Sequence, residues 1–380
     1  MKKTFKKDIK ILLLALTLPF LCSCGIKNNR IDISDNGSGT KYINLAFNMY
    51  DEGRIFCTGG VTRFLSYETM KWTPLCSRPN CTHVNSDCPA KIMGECPMVT
   101  DEGIYFFNYS DGVNELSNGK REHYMESKLC RISLDSSEME EIVSFTDCVP
   151  HDYDGMLLYN NKIYFTATDL NPIEDEFGNI NVSNVGGNQF FCCIDLETGK
   201  YTNYGCLYDF DKLSDDGKNA NGSSVKGVYN SKIYIQYQYV DDKDIIDENG
   251  INVITNLMYE FDPETTKITA SDLPKPMNFL INDGVYIYYD EEKHKIILLE
   301  NDKKKELDID WNLNTSLLFN DKIFGMKEWY DLNDMSVHKF PHKCEGFWVM
   351  DYYDGYYIFV LGNQTIKLTE EELLALDKEK

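Results

Sequence analysis

The chain has 380 residues, a formal net charge of −23 and 13% aromatic residues, among them 25 tyrosines and 20 phenylalanines. This apolar content is enough for a folded core and excludes a globally disordered chain. The strong acidity argues against a nucleic-acid partner, because phosphate binding depends on clustered lysine and arginine side chains. The length allows two average domains or one large all-β domain.

The first 23 residues have the pattern of an export signal. Five lysines lie among the first ten residues, and a largely apolar run from Ile11 to Leu21 follows them. This run is too short to span a bilayer, which needs about 20 residues. A basic start, a short apolar stretch and small residues are typical of a signal peptide.

The end of this segment, Leu21-Cys22-Ser23-Cys24, resembles the lipobox of bacterial lipoproteins. The resemblance implies cleavage after Ser23, a diacylglyceryl group on Cys24, and anchoring at the extracytoplasmic face of the cell membrane. Two acyl chains give durable anchoring, because each buried methylene contributes about 0.8 kcal/mol. Residues 24–40 are polar and include Asn36-Gly-Ser-Gly-Thr40, which predicts a flexible tether behind the lipidated cysteine.

A short phrase recurs seven times between residues 41 and 368. It consists of apolar residues, a turn built from Asp, Asn or Gly, and then alternating Ile, Tyr or Phe, which predicts a β-hairpin. A second hairpin phrase follows most copies, as in residues 191–202, so that the two together make a four-stranded antiparallel unit. The anchor positions of the first phrase are Ile55, Ile104, Ile163, Ile233, Val285, Ile323 and Tyr357.

Seven four-stranded units arranged radially predict an all-β fold, a seven-bladed β-propeller over residues 41–368. The alternative is a two-sheet sandwich, which would not produce seven copies of one phrase. The first unit, with Gly59-Gly60, Tyr67 and Trp72, resembles a Kelch motif, and the whole chain is similar to secreted propeller lipoproteins of Gram-positive bacteria, many of which lack an assigned activity. Residues 369–380 predict a short acidic helix.

Five long segments interrupt the tight repeat. With the strands of a blade lettered A to D from the inside outwards, all five fall in B–C loops or D–A crossovers, which share one face of a propeller. Insertions on one face of a repeat fold are typical of a binding face, and neutral variation in loops is the alternative. The segments are residues 77–97, 108–127, 169–188, 207–225 and 241–256.

The first of these segments adjoins a dense group of cysteines and a histidine. Cys76, Cys81, His83 and Cys88 lie within 13 residues, and Cys96 follows them. Three thiolates and an imidazole can close a tetrahedral zinc site, whereas cysteines of an exported protein can instead pair as disulfides. Because the segment is too polar to hold itself in place, we expect a cross-link of one of these two kinds, and no catalytic role for the thiols.

No phosphate-binding loop, serine-nucleophile elbow or zinc-protease motif stands out in the sequence. We therefore expect a lipid-anchored binding module for a glycan, a peptide or a partner protein, with no cofactor other than zinc in the cysteine-rich loop. Two alternatives remain at this point. One is an extracytoplasmic hydrolase or lyase with carboxylates in the propeller funnel, and the other is a structural subunit of an envelope complex.

Overall fold

The computed structural model describes most of the chain from residue 48 to residue 376. The predicted signal peptide, Cys24, the tether and Cys96 lie outside the described residues. Within the described span, gaps fall at residues 51–52, 59, 86, 94–96, 101, 135, 152–155, 175–176, 178, 184–186, 209–218, 241–253, 277–278, 283–284, 291, 301–302, 310–312, 314–315, 320, 341–347 and 362–363.

The first three of seven sheets, or blades, hold fifteen strands. Blade 1 contains β1 (Asn48–Tyr50), β2 (Gly53–Thr58), β3 (Val61–Ser66) and β4 (Lys71–Pro74). Blade 2 contains β5 (Met98–Thr100), β6 (Gly103–Glu115), β7 (Arg121–Ile132), β8 (Met139–Phe145) and the added strands β12 (Asn171–Glu174) and β13 (Ile180–Ser183). Blade 3 contains β9 (Cys148–Pro150), β10 (Leu157–Tyr159), β11 (Lys162–Asp169), β14 (Gln189–Asp195) and β15 (Lys200–Tyr208).

The remaining four blades are more regular. Blade 4 contains β16 (Asn219–Tyr229), β17 (Lys232–Val240), β18 (Ile254–Asp262) and β19 (Lys267–Ala270). Blade 5 contains β20 (Phe279–Asn282), β21 (Val285–Asp290), β22 (Lys295–Glu300) and β23 (Lys303–Leu307). Blade 6 contains β24 (Leu317–Phe319), β25 (Lys322–Phe324), β26 (Glu328–Asp331) and β27 (Ser336–Lys339). Blade 7 contains β28 (Trp348–Tyr353), β29 (Tyr356–Leu361) and β30 (Gln364–Thr369).

The tight inner hairpins follow from residues that tolerate a positive φ angle. Asn160 and Asn161 join β10 to β11 with φ of 50° and 56°, and Asn230 and Ser231 join β16 to β17 with φ of 51° and 62°. Two successive positive φ angles are typical of a type I′ turn, whose twist matches that of the flanking strands. The recurring Asn- and Asp-containing phrase is therefore the local cause of these hairpins.

Each blade buries both of its faces. In β6, Ile104 and Phe106 belong to an apolar cluster shared with blade 1, whereas Tyr105 and Phe107 belong to one shared with blade 3. Successive side chains of a strand point to opposite faces, so a strand covered on both sides needs consecutive apolar residues. This requirement explains the runs of Ile, Tyr and Phe in the repeated phrase.

Seven apolar clusters join the blades into a closed ring. The clusters between consecutive blades are represented by Ile55 and Ile104, Phe107 and Phe165, Tyr164 and Ile233, Tyr234 and Tyr286, Ile287 and Ile323, and Phe324 and Tyr357. The seventh cluster contains Leu65 of blade 1 and Ile358 of blade 7 and therefore joins the last blade to the first. The predicted seven-bladed β-propeller is confirmed, and a two-sheet sandwich is excluded.

The seam between blades 7 and 1 also carries polar contacts. The hydroxyl of buried Tyr67 donates a hydrogen bond to Oδ2 of buried Asp351, and Oγ1 of Thr365 donates to the carbonyl oxygen of Met70 at 3.0 Å. Burial, with this carboxylate nearby, raises the pKa of Tyr67, so its hydroxyl remains a donor. Within the described residues blade 7 has three strands and no strand crosses the seam, so closure relies on these contacts and the apolar cluster.

The C-terminal segment forms helix α2 (Glu370–Leu376), whose first residue follows β30 directly. Oγ1 of Thr369 accepts a hydrogen bond from the backbone N–H of Glu372 at 3.1 Å, and Oε2 of Glu372 accepts one from the N–H of Thr369 at 2.8 Å. This reciprocal pair is a capping box. Thr369 thus ends a strand and caps the helix, which begins at Glu370, one residue after the predicted start.

Helix α2 is tied to blade 6 by a buried lysine. Nζ of Lys322 lies 2.9 Å from Oδ2 of Asp331 and 2.8 Å from Oε1 of Glu370. Burial disfavours the charged ammonium group, but the two carboxylates outweigh this effect and the pKa of Lys322 is raised. Lys322 is therefore charged at neutral pH and links the helix to the ring.

Candidate metal centre and the long-hairpin face

The cysteine-rich loop runs from Cys76, just after β4, to Cys88, which precedes the four-residue helix α1 (Pro89–Ile92). Tight turns fold this polar segment back on itself. The backbone N–H of Cys81 donates to the carbonyl oxygen of Arg78 at 3.3 Å, and Asn80 and His83 have φ of 57° and 58°. Such angles are uncommon for residues other than glycine and hold the chain in a compact coil.

The loop brings the side chains of Cys76, Cys81, His83 and Cys88 together. Their three sulfurs and one imidazole nitrogen all lie within 4.8 Å of one another. Sγ of Cys81 is 3.6 Å from Sγ of Cys88, which in turn is 3.5 Å from Nδ1 of His83. None of the three cysteines forms a disulfide, since bonded sulfurs are about 2.05 Å apart. Cys96, the fifth predicted candidate, lies outside the described residues.

The two spacings that involve Cys88 match the edges of a tetrahedral zinc site. With Zn–S bonds of about 2.3 Å and a Zn–N bond of about 2.0–2.1 Å, tetrahedral geometry places two sulfurs roughly 3.8 Å apart and a sulfur about 3.6 Å from the nitrogen. The Cys81–Cys88 and Cys88–His83 distances of 3.6 Å and 3.5 Å are close to these values. The four ligand atoms can therefore surround one zinc-sized ion.

Burial and hydrogen bonds shift the pKa values of the loop thiols in opposite directions. A hydrogen bond from the backbone N–H of His83 lowers the pKa of the Cys81 thiol, which favours the thiolate form that binds metals. Burial raises the pKa of the Cys88 thiol to about 11. A metal ion at this position would have to displace the proton of the Cys88 thiol, because thiolates and not thiols bind metals.

The first half of the loop lies against a tight turn of blade 2. The backbone N–H of Ser77 donates to Oγ of buried Ser136, in the turn between β7 and β8, at 2.9 Å. Within the loop, Nη1 of Arg78 lies 2.7 Å from Oδ2 of Asp87. In the lettering used for the blades, the β7–β8 turn is a C–D turn. Ser77 therefore contacts a C–D turn, whereas the ammonium group of Lys91, at the other end of the predicted segment, lies near Gly60 in the B–C turn of blade 1.

A second group of ligand types lies at the β26–β27 turn, where Asp331, Asp334 and His338 come within the same 4.8 Å. Its members already have partners in the protein. Asp331 binds Lys322, and Nε2 of His338 lies 2.8 Å from Oγ of Ser336. The His338 ring also stacks on Trp329 with ring centres 5.0 Å apart. These contacts give the group a structural role in blade 6.

Two of the predicted loops form strands instead. The B–C segment of blade 2 continues as the long β6–β7 hairpin, with a ladder that reaches from Tyr109 and Ser127 to Glu115 and Arg121. The corresponding segment of blade 3 forms the β12–β13 hairpin. We call the extension of β6 and β7 (residues 109–126) together with β12 and β13 the arm.

The two hairpins of the arm support each other across the blade boundary. Ile180 of β13 pairs in parallel with Glu122 of β7. The backbone N–H of Arg121 donates to Oδ1 of Asn179 at 3.0 Å, and Nζ of Lys120 lies 3.6 Å from Oε1 of Glu174. The insertion of blade 3 is therefore part of the sheet of blade 2, which explains why both segments are extended.

The arm exposes apolar side chains around an open cleft. Tyr109, Val113 and Tyr124 are 38%, 48% and 40% exposed. The cleft has a volume of about 570 Å³ and is lined by Asn114, Glu122, His123, Tyr124, Met125, Glu126, Thr146 and Leu170. A volume in the range of about 300–1,000 Å³ is typical of ligand sites. None of these lining residues was singled out by the sequence, although the long B–C segments that carry most of them were.

A buried polar network between blades 3 and 4 was not predicted from the sequence. Nε2 of His151 lies 2.6 Å from Oγ1 of Thr168, which accepts a hydrogen bond from Nε2 of Gln189 at 2.6 Å. Oγ of Ser223 donates to Oε1 of Gln189 at 2.6 Å. Polar residues inside strand runs that are otherwise apolar were the available signal, and their mutual hydrogen bonds indicate a structural role.

No protein-family model and no curated protein matches the chain. Among solved structures, it is similar to the β-propeller domain of the Trilobed protease from Pyrococcus furiosus, with 10% identity and a TM-score of 0.41 over 88% of this chain and 91% of that one. It is also similar to YjhT, with 12% identity and a TM-score of 0.39 over 88% and 100%. An oligogalacturonate lyase in complex with manganese matches with 10% identity and a TM-score of 0.35 over 89% and 80%. Likenesses this distant say nothing of activity.

Proposed function

We propose that the protein is a lipid-anchored extracytoplasmic β-propeller that serves as a binding module, with the arm and its cleft as the binding surface. The observation that carries this proposal is the arm itself. The ring is closed by its seven apolar clusters, and the arm projects beyond them with exposed Tyr109, Val113 and Tyr124. Exposed aromatic and apolar side chains beside a cleft are typical of interaction sites.

The cleft carries two carboxylates. Glu122 and Glu126 are the two acidic residues of its lining. They lie four residues apart on one strand, so they share one face of the sheet with their backbones about 13 Å apart. Two negative side chains on one face of the cleft would recognise a ligand that carries positive charge.

We assign the cysteine-rich loop a structural zinc ion held by Cys76, Cys81, His83 and Cys88. Four protein ligands would leave no coordination position for a substrate, which is typical of structural rather than catalytic zinc. The ion would fix a polar loop that contributes little to the apolar core. Its role in the module is to hold the outer side of blade 1 against blade 2.

The membrane anchor in this proposal is the lipid on Cys24. Within the described part of the chain, no helix has the length and apolar content needed to cross a membrane. We expect the Cys24→Ala protein to leave the membrane fraction after a high-salt wash or to accumulate uncleaved. A processed Cys24→Ala protein that stays in the washed membranes would contradict lipid anchoring.

The binding role is tested by trimming the arm. In the trimmed variant, Asn-Gly replaces residues 112–124, so that Asp111 and Met125, which pair in the native ladder, flank a two-residue turn. Detergent-extracted wild-type and trimmed proteins are probed on glycan and peptide arrays. We expect ligands of the wild type to be lost by the trimmed protein. Full retention of binding, or turnover of an array ligand by the wild type, would contradict the proposal.

A further inference from the structure

The ring of Tyr124 lies across the neighbouring strand of the arm. Tyr124 of β7 is directly opposite Gly112 of β6 in the ladder of the long hairpin. A methyl group added to Gly112 would lie 2.5 Å from Oη and 2.7 Å from Cε1 of Tyr124, closer than such atoms approach in proteins. Gly112 therefore provides the space for this ring. The side of the ring turned away from the backbone is open to solvent, since Tyr124 is 40% exposed.

Two carboxylates flank this ring on the same face of the sheet. Successive side chains of a strand alternate between its two faces, so Glu122, Tyr124 and Glu126 point to one side, at intervals of about 7 Å. Nζ of Lys128 lies 3.3 Å from Oε2 of Glu126 but is shared with Glu141, at 3.0 Å, so these three groups keep a net negative charge. Glu122 adds a further negative charge. We call Glu122, Tyr124 and Glu126 the platform.

The platform lies on the side of blade 2 that faces blade 1. Cys130 and Ile132, which share the alternation of Tyr124 along β7, belong to the apolar cluster between these two blades. The β2–β3 hairpin of blade 1 turns back between Thr58 and Val61, whereas β6 and β7 continue beyond that level. Strand β13 lies beside β7 in the plane of the sheet, so it borders the platform without covering it.

An aromatic ring between two carboxylates has the chemistry to bind a guanidinium group. A planar guanidinium stacks on an aromatic face within about 6 Å of the ring centre and donates N–H groups to carboxylates. The ammonium group of lysine is compact and strongly hydrated, so it gains less from stacking. Loss of residues 1–23 would leave 33 basic and 60 acidic side chains in the body. The field of the whole protein therefore attracts a cationic group.

We propose that the platform binds an arginine side chain of a partner protein. The guanidinium group stacks on the open side of the Tyr124 ring and donates to the carboxylate of Glu122. Glu126, whose Oε1 accepts a hydrogen bond from Oγ of Ser144 at 3.0 Å, is held in place and adds negative potential. This inference rests on the proposed function, because it names the class of partner and the residues of the arm that recognise it.

The ligand class is tested by fluorescence anisotropy with the detergent-extracted full chain and a labelled octapeptide of alternating arginine and glycine. We expect saturable binding that weakens as salt is raised from 50 to 200 mM, because screening reduces attraction between exposed charges. A matched peptide of alternating lysine and glycine has the same charge and should bind about fivefold more weakly. Equal binding of the two peptides would overturn the recognition of arginine.

The role of the ring is tested by two substitutions of Tyr124. Tyr124→Leu removes the ring and should weaken binding of the arginine–glycine peptide about fivefold, whereas Tyr124→Phe keeps a ring and should bind about as well as the wild type. The matched control is Tyr353→Leu, which removes a tyrosine of blade 7 that is 37% exposed and should leave binding unchanged. Equal losses in Tyr124→Leu and Tyr124→Phe, or in Tyr124→Leu and Tyr353→Leu, would overturn stacking on this ring.

The position of the ring is tested by Gly112→Ala. The added methyl group displaces the Tyr124 ring, so this variant should also weaken binding of the arginine–glycine peptide. In a Tyr124→Leu protein the same substitution should have no further effect, since the two residues act through one contact. Binding by Gly112→Ala at the wild-type level, or independent losses that add in the double variant, would contradict this arrangement.

The charge of the platform is tested by Glu122→Gln. It should weaken binding of the arginine–glycine peptide and reduce the difference between the arginine and lysine peptides. The control is Glu197→Gln, which removes the same charge from an exposed turn and should leave binding unchanged. Equal weakening in the two variants would show that net charge alone attracts the peptide and would overturn the inference.

Failure of this inference differs from failure of the proposed function. If the arm-trimmed protein loses array ligands while Tyr124→Leu keeps them, the arm binds its ligand without the platform. If the trimmed protein retains its array ligands, the arm is not the binding surface at all.

Discussion

The cysteine-rich loop and the arm are both insertions into the ring, and they are held in different ways. In the loop, Cys88 is buried whereas most side chains from Ser77 to Asp87 are exposed, so packing contributes little to its shape. The arm also exposes most of its side chains, but its backbone groups pair across two hairpins. An insertion without strand pairing needs a cross-link, whereas an insertion that extends a sheet supplies its own restraints.

Loss of a buried ion pair in the ring should lower the free energy of unfolding more than a change in either insertion. We expect Lys322→Met to lower the free energy of unfolding by about 3–5 kcal/mol, because it leaves buried Asp331 without its partner. The control is Lys295→Met, since Lys295 pairs with exposed Asp308 and its loss should cost under about 1 kcal/mol. Urea unfolding measures both. Equal effects of the two substitutions would contradict this description of Lys322.

The same pair predicts a pH dependence. The pKa of Lys322 is raised in the folded state. Its contribution is therefore complete below the ordinary lysine pKa of about 10.4 and is lost as the pH rises through the folded value. The difference in unfolding free energy between wild type and Lys322→Met should be constant from about pH 6 to 9 and shrink only in stronger alkali. A difference that already falls between pH 6 and 9 would show that another group is responsible.

The proposed zinc cross-link of the loop is tested by Cys81→Ser. We expect the wild type to contain one zinc ion per chain and the variant to contain almost none, with a loss of about 3 kcal/mol, the cost of leaving a loop of about this length unclosed. Cobalt substitution should give the visible spectrum of a tetrahedral thiolate site in the wild type. The matched control is Cys206→Ser. Cys206 is an exposed residue of β15, far along the chain from the loop, so this variant should retain the metal. A metal-free wild type with three reactive thiols in the loop would contradict the site.

A smaller effect is expected where the loop contacts blade 2. Ser136→Ala removes the acceptor of the Ser77 N–H and should cost about 1 kcal/mol. It should also increase hydrogen exchange in the loop while leaving the arm unchanged. The neighbouring Ser137→Ala, at an exposed position, is the control. Unchanged exchange at Ser77 in the Ser136→Ala protein would mean that the metal alone positions the loop.

The smallest effect on stability is expected from trimming the arm. Replacement of residues 112–124 by Asn-Gly removes exposed residues and shortens a hairpin that contributes little to the clusters of the ring. Its unfolding free energy should stay within about 1 kcal/mol of the wild type. A loss as large as that of Lys322→Met would show that the arm is part of the core, and the comparison with the loop would fail.

The sequence predicted what depends on local pattern. Asn160-Asn161 specifies a tight turn, and the Ile104–Phe107 run specifies a strand buried on both faces. The spacing of Cys76 to Cys88 brings four side chains that could bind a metal into one loop. It did not predict what depends on the angle between blades. The pairing of Ile180 with Glu122 joins strands from different repeats, and neither segment carries a signal for the other. For the same reason the cleft of the arm and the contact of Ser77 with blade 2 became visible only in three dimensions.

The most direct test of the binding surface is amide hydrogen exchange across the arm, with and without a ligand that the wild-type protein binds on the arrays. We expect the bound ligand to protect amides of residues 109–126, with little change at the outer strand β23 or in the cysteine-rich loop. A saturating ligand that leaves the arm unprotected, or that protects another part of the ring instead, would contradict the assignment of the arm as the binding surface.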